Sequence, residues 1–186
     1  MINQFLSDIL DNKNDYYYVE LGSGHPVRGS VSLELENKGW RGLSLEIDEK
    51  IAEKFNSVRK NKCVVSDATK FNYRKYFEDN NFPKQIDLLQ VDIDAGYTQM
   101  GKPVASPYNS LHGLISIPLT TYRFSVITFE HECIIDFKNE SIKQASREIL
   151  YSLDYALVKK FPHEDWWVDP NVVPYNIYKE HFQSVG

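Results

Sequence analysis

A parallel, doubly wound α/β sheet is the fold this sequence predicts, and three observations predict it. Short runs of β formers alternate with segments of helical periodicity along the chain. The most apolar run, residues 86–93, has the near-continuous hydrophobicity of a strand buried on both faces. The 186 residues, 42% hydrophobic and 25% charged, suit one domain (1–186) with a full core.

The elements follow in order. Residues 3–11 carry Phe5, Ile9 and Leu10 on one helical face. Residues 16–21 are rich in β formers and end at Gly22. Val31, Leu33 and Leu35 open a helix that closes at Gly39, a good C-terminal cap. Residues 42–47 form a second strand, and Asp48 fits the N-cap of a helix over 49–56. Residues 62–66 are a third strand. Residues 70–82, polar and aromatic, read as irregular with some helix. The strand over 86–93 is the fourth and 125–130 the fifth. Residues 141–153 are helical, with Ile142, Ala145, Ile149 and Leu153 at the required spacing. Residues 155–159 are a sixth strand, and the tail holds at least one more.

Composition excludes several classes. Two cysteines, Cys63 and Cys133, cannot make a disulfide scaffold or a Cys-rich zinc site. No apolar run reaches the ~18 residues that span a bilayer, and residues 1–8 lack the pattern of a signal peptide. An intracellular, cytoplasmic protein is the expectation. A net charge of −5 disfavours general nucleic-acid binding, which depends on Lys and Arg at phosphates. The run Arg59-Lys60-Asn61-Lys62 reads as a solvated helix end.

Ligands of such sheets bind beyond the carboxyl ends of the strands, so those positions carry the chemistry. After the first strand come Glu20-Leu-Gly22-Ser-Gly24, where glycines let the backbone approach a ligand. The dinucleotide fingerprint needs a third glycine at 27, where Val27 stands. Glu46, at the end of the second strand, is placed to accept from ribose hydroxyls, because Asp48 is occupied as a cap. Asp67, ending the third, can accept from an adenine amino group or cap a turn. Asp92 and Asp94 share one side of the fourth strand, and two carboxylates there call for a cation, a donor-rich ligand or a shared proton. Glu130 and His131 end the fifth. His131 is a candidate base near neutral pH, and His112 a further one. The four residues Asp92, Asp94, Glu130 and His131 also have the donor types of a hard divalent cation site.

Taken in order, these stretches resemble a class I S-adenosylmethionine-dependent methyltransferase, and more narrowly the FkbM family. The likeness rests on Tyr18-Val-Glu-Leu-Gly-Ser-Gly24, Gly39-Trp-Arg-Gly-Leu-Ser-Leu-Glu46, residues 86–96, 126–131, 147–158 and 164–169. It implies a Rossmann-like sheet of about seven strands with the last pair antiparallel. It implies S-adenosylmethionine as cofactor, with Glu20, Gly22 and Gly24 at its methionine part. Glu46 would lie at the ribose, Asp67 near adenine and Asp92 near the transferring methyl, with Ser23, Ile47 and Ala68 as further cofactor-binding residues. It implies methylation of a hydroxyl oxygen on a sugar, glycan or other small molecule. The sequence departs from the family at Asp94-Ala-Gly96, where Glu-Gly is usual, and over 97–118. That stretch holds Gly101, Pro103, Pro107 and Pro118, so much of it reads as a loop, and as a substrate lid. Residues 163–167 are a second substrate-facing candidate, or pack a sheet edge.

An alcohol acceptor needs a base. His131 or Asp92 would serve, with Asp94 and Glu130 orienting the substrate or holding a metal. Two other readings stand beside this one: a nucleotide-dependent oxidoreductase on the same sheet, and a binding module without catalysis.

Overall fold

The computed structural model describes residues 2–10, 14–93, 106, 108–131 and 139–182. Its centre is one seven-stranded sheet in the order β3-β2-β1-β4-β5-β7-β6. The strands are β1 (Tyr17–Leu21), β2 (Arg41–Glu46), β3 (Lys62–Val65), β4 (Gln85–Val91), β5 (Arg123–Glu130), β6 (Ala156–Lys160) and β7 (Glu164–Val168). The first five pair in parallel, with Val19 opposite both Leu43 and Leu89. The antiparallel strand is β7. It is inserted between β5 and β6 and runs against both. The sheet is thus Rossmann-like, as anticipated.

Side-chain alternation gives the sheet two buried faces. Leu89, Val91, Ile127 and Trp167 pack on one side with α4 (Tyr73–Asp79), α5 (Asn109–Ser116) and α6 (Glu140–Ser152). Leu88, Val126 and Trp166 pack on the other with α1 (Ile2–Ile9), α2 (Val31–Asn37) and α7 (Tyr175–Tyr178). The adjacent tryptophans Trp166 and Trp167 therefore enter opposite cores. Helix α3 (Glu49–Val58) closes on β3 through Ala52, Phe55 and Cys63.

Local chemistry accounts for the ends. Asp48 caps α3, its Oδ1 accepting from the backbone of Lys50 (2.9 Å) and Ile51 (3.1 Å). Helix α4 is more regular than its polar, aromatic sequence suggests. Asn72 Oδ1 caps it at Lys75 N (3.1 Å), while Tyr73 and Phe77, four residues apart, bury one face. Within the expected lid, residues 109–116 form α5, an amphipathic helix that buries Leu111 and Leu114. Strand β4 ends at Val91, two residues earlier than expected. No described helix is long and apolar enough to cross a membrane.

The chain runs outward from β1 through β2 to β3, then returns to place β4 on the other side of β1. That reversal opens a crevice at the carboxyl ends of β1 and β4, the point where such sheets bind ligands.

Candidate functional site

A cavity of about 300 Å³ occupies that crevice. All nine residues expected to hold the cofactor line it. They come from Glu20 and the loop Gly22-Ser23-Gly24, from Glu46 and Ile47, from Asp67 and Ala68, and from Asp92. Four successive strand ends thus converge on one volume.

Gly22 sets the closeness of the first two. Its φ is +81°, and a Cβ there would overlap the Asp92 carbonyl oxygen. Only glycine lets β1's exit and β4's exit touch in this way. Asp92 N donates to Leu21 O (3.0 Å), so the two exits are also hydrogen-bonded. Beyond Asp92, Ile93 N donates to Ser110 Oγ of α5 (3.1 Å), which anchors the chain after β4.

Glu20 is buried, with its Oε2 accepting from Ser44 Oγ (2.6 Å) and Ser32 Oγ (2.9 Å). Burial pushes its pKa from 4.5 to about 7, and the Asp92 carboxyl adds to the rise. The two hydroxyls and Arg59 act in the opposite sense. Glu20 therefore exchanges its proton near neutral pH.

Glu46 faces the cavity across the glycine loop. Its Oε2 accepts from Gly24 N (3.0 Å) and its Oε1 from Ile47 N (2.8 Å) and Asp48 N (3.0 Å). A carboxylate has about four acceptor positions, so this arrangement leaves capacity for a ligand hydroxyl. Asp67 caps the turn after β3, accepting from Thr69 N (2.9 Å), Thr69 Oγ1 (2.7 Å) and Lys70 Nζ (2.7 Å). Lys70 and Thr69 hold its pKa down at about 2. Asp67 therefore caps this turn, as one of its two expected roles had it, and also lines the cavity.

The other expected residues are dispersed. Asp94 lies outside the described residues. Glu130 ends β5 opposite Glu164 of β7, and neither it nor His131 lines the cavity. His131 is buried, its Nε2 4.0 Å from Asp165 Oδ1, and burial lowers its pKa to about 4. Asp165 is itself gripped by Arg147 in a two-pronged pair of 2.7 and 2.8 Å. His131 thus belongs to a buried polar cluster between β5, α6 and β7. Among the described residues, no three His, Cys, Asp or Glu side chains converge to hold a metal ion. His112 sits on α5, with its ring stacked near Tyr108.

Sequence reasoning missed Gln90, Ser30, Arg28 and Asn109, which also line the cavity. Gln90 was detectable: alternation from Leu88 puts it on the α1–α2 side of β4, two residues before Asp92. Asn109 was not, because it begins a helix in a stretch read as loop.

Neither a protein-family model nor a curated protein matches the chain. Solved structures match its fold. A protein assigned as an rRNA methylase from Clostridium thermocellum superposes with a TM-score of 0.57 at 11% identity, over 90% of this chain and 94% of that one. A prophage-encoded protein from E. coli, assigned as a DNA modification methyltransferase, gives 0.62 at 14% identity, over 84% of this chain and 47% of that one. A TehB-like SAM-dependent methyltransferase from Corynebacterium glutamicum gives 0.52 at 14% identity, over 89% and 85%. At these identities the likeness is one of fold: this chain has the Rossmann-like architecture of class I SAM-dependent methyltransferases.

Proposed function

We propose that the chain is an S-adenosylmethionine-dependent methyltransferase acting on a hydroxyl oxygen of a sugar, glycan or other small molecule. One observation carries the cofactor reading. The cavity at the switch point of a methyltransferase fold is walled by four carboxyl groups, Glu20, Glu46, Asp67 and Asp92. Such a wall attracts a cationic ligand and repels a pyrophosphate. S-adenosylmethionine carries a sulfonium and an ammonium; a nicotinamide dinucleotide carries two phosphates. The absence of a third glycine, Val27 being in its place, argues the same way.

The residues present fit that cofactor. Glu46 has acceptor capacity for ribose hydroxyls, and the exposed side chain of Ile47 offers apolar surface for adenine. Glu20, titrating near 7, can present a charge to the ammonium end. The bound cofactor supplies an electrophilic methyl group. The protein's part is to hold the acceptor oxygen in line and to receive its proton. Asp92, at the meeting of β1 and β4, is the carboxyl group nearest in sequence to that point and is the residue we assign to orienting the acceptor. The hydroxyl acceptor and the FkbM likeness rest on the sequence motifs. A net charge of −5 supports a small acceptor over a phosphate backbone.

Calorimetric titration with S-adenosylhomocysteine tests the reading, with NADH as control. The expected result is micromolar binding of the first and none of the second. Binding of NADH alone, or of neither, overturns it.

A further inference from the structure

We infer that Arg59 is a positioning residue for the cofactor site: from the C-cap of α3 it holds in place the loop that walls the cavity and, through Ser32, the Glu20 carboxyl that faces it. The inference rests on the cofactor reading above and adds to it a residue that does not line the cavity.

The loop between Gly24 and α2 has little packing of its own. Val27, Arg28 and Gly29 are exposed, and Gly29 has φ +73°. Yet Arg28, Gly29 and Ser30 wall the cavity. One local contact braces the loop, His25 Nδ1 accepting from Val27 N (3.1 Å) and Arg28 N (3.0 Å). Arg59 braces it from beneath. Its Nη1 donates to Pro26 O (2.9 Å) and to Ser30 Oγ (3.1 Å), one at each end of the exposed stretch. A guanidinium suits this task, because its planar fork fixes several acceptors at set angles.

The second action is directional. Ser32 Oγ accepts from Arg59 Nη2 (3.1 Å) and donates to Glu20 Oε2 (2.9 Å). A hydroxyl has one proton, so at the 3.2 Å contact between Ser30 Oγ and Ser32 Oγ the donor is Ser30. Ser30 Oγ in turn accepts from Arg59 Nη1 and from Leu33 N (3.3 Å). Both routes, from Arg59 through Ser32 and from Arg59 through Ser30 and Ser32, thus point their hydrogens at the Glu20 carboxyl. Hydrogen bonds aligned in a chain polarise one another. The arrangement favours the charged form of Glu20.

Other groups bear on Glu20 from the neighbouring elements. Ser44 of β2 donates to it (2.6 Å). The Asp92 carboxyl, after β4, favours its neutral form. Tyr18 on β1 and Cys63 on β3 also lie near it; burial pushes their pKa values up to about 12 and about 11, so both stay neutral at physiological pH. Glu36 of α2 stands behind Arg59, accepting from its Nε (3.2 Å). Among these groups Arg59 is the cation that opposes burial and Asp92 at this carboxyl. A ligand ammonium is attracted by the charged form of Glu20. Affinity for it therefore rises with pH through the Glu20 titration, and Arg59 sets where that rise falls.

The test uses the whole chain with its glutamates labelled at Cδ with carbon-13. The Glu20 resonance is assigned by Glu20→Gln. It is titrated from about pH 5 to about pH 9 in the wild type, Arg59→Met, Ser32→Ala and Leu150→Ala. Ser32→Ala cuts the link and keeps the buried Arg59–Glu36 pair, so it serves where Arg59→Met folds poorly. Leu150→Ala, on α6 at the opposite face of the sheet, lowers stability without touching the link. The Glu20 midpoint should rise by about one pH unit in Arg59→Met and Ser32→Ala, as for loss of a hydrogen bond to a charged group, and stay in place in Leu150→Ala. Calorimetric titration with S-adenosylhomocysteine should follow it: Ser32→Ala binds about tenfold more weakly near pH 6, and the difference fades as pH rises. An unmoved Glu20 midpoint in Ser32→Ala, or a midpoint that moves as far in Leu150→Ala, overturns the inference and leaves the cofactor reading standing. No binding of S-adenosylhomocysteine to the wild type at any pH overturns the cofactor reading, and this role with it.

Discussion

Replacing Arg59 by methionine should destabilise the protein strongly, although Arg59 lies outside the cavity lining. The Arg59 side chain has no exposed surface, and its partner Glu36 has 4%. The guanidinium spends its donors in four directions: Glu36 Oε1 (3.2 Å), Pro26 O (2.9 Å), Ser30 Oγ (3.1 Å) and Ser32 Oγ (3.1 Å). It also lies 4.3 Å from the centre of the Phe55 ring. Methionine fills much of the volume and satisfies none of these groups. Breaking a buried pair by removing one partner costs about 3–5 kcal/mol. Glu36 keeps the backbone N–H groups of Lys60 (2.9 Å) and Asn61 (2.8 Å), so the lower end, about 3 kcal/mol, is the expectation. For a domain of this size that lowers Tm by roughly 6–12 °C. Urea denaturation and thermal melting followed by circular dichroism read the change. Arg59→Lys, which keeps the charge and loses the planar fork, should fall between methionine and wild type. Since Ser32 Oγ also donates a hydrogen bond to Glu20 Oε2, affinity for S-adenosylhomocysteine should drop as well. A loss below about 0.5 kcal/mol, within the range of ordinary surface substitutions, would refute the reasoning.

Other perturbations separate the parts of the molecule. Gly22→Ala should abolish S-adenosylhomocysteine binding and lower stability sharply, because its Cβ meets fixed backbone at Asp92; Gly24→Ala, with φ +53° and open space around it, should cost only about 1–2 kcal/mol, read by the same melts. Glu20 has its pKa raised from 4.5 to about 7 in the folded chain, so it stabilises fully below about 4.5 and its contribution is lost as pH rises through 7. Glu20→Gln should therefore flatten the stability profile between pH 5 and 8, by up to roughly 3 kcal/mol, in urea titrations at each pH. Arg147→Met should leave Asp165 buried without its main partner and let the His131 pKa rise from about 4, a shift read from its imidazole proton resonances in a pH titration.

The residues that proved easiest to read are those governed by local rules. Asp48 caps its helix, and Gly22 turns where a strand must stop. Glu46 and Asp92 stand at the cavity because each closes a run of β formers, and the switch-point rule says what strand ends face. The helix α4 was obscured because its buried face is made of aromatics, which serve strands equally well. Arg59 was misread for a different reason. It opens a run of polar, mostly basic residues, and nothing within that run reveals that Glu36, 23 positions earlier, meets it in the interior. His131 shares that difficulty: its place beside a strand's end suggests access, while Asp165 and Arg147, from distant segments, receive it into the core.

By itself, then, the sequence determined the alternation of strands and helices, the glycine turn after β1 and the carboxylates at four strand ends. These depend on periodicity, backbone freedom and capping, which act over a few residues. The tertiary structure alone decided the insertion of β7 between β5 and β6 and the burial of Arg59 and His131. Each of these depends on which distant segments exclude water from a side chain, and dehydration of a polar group is a property of the assembled fold.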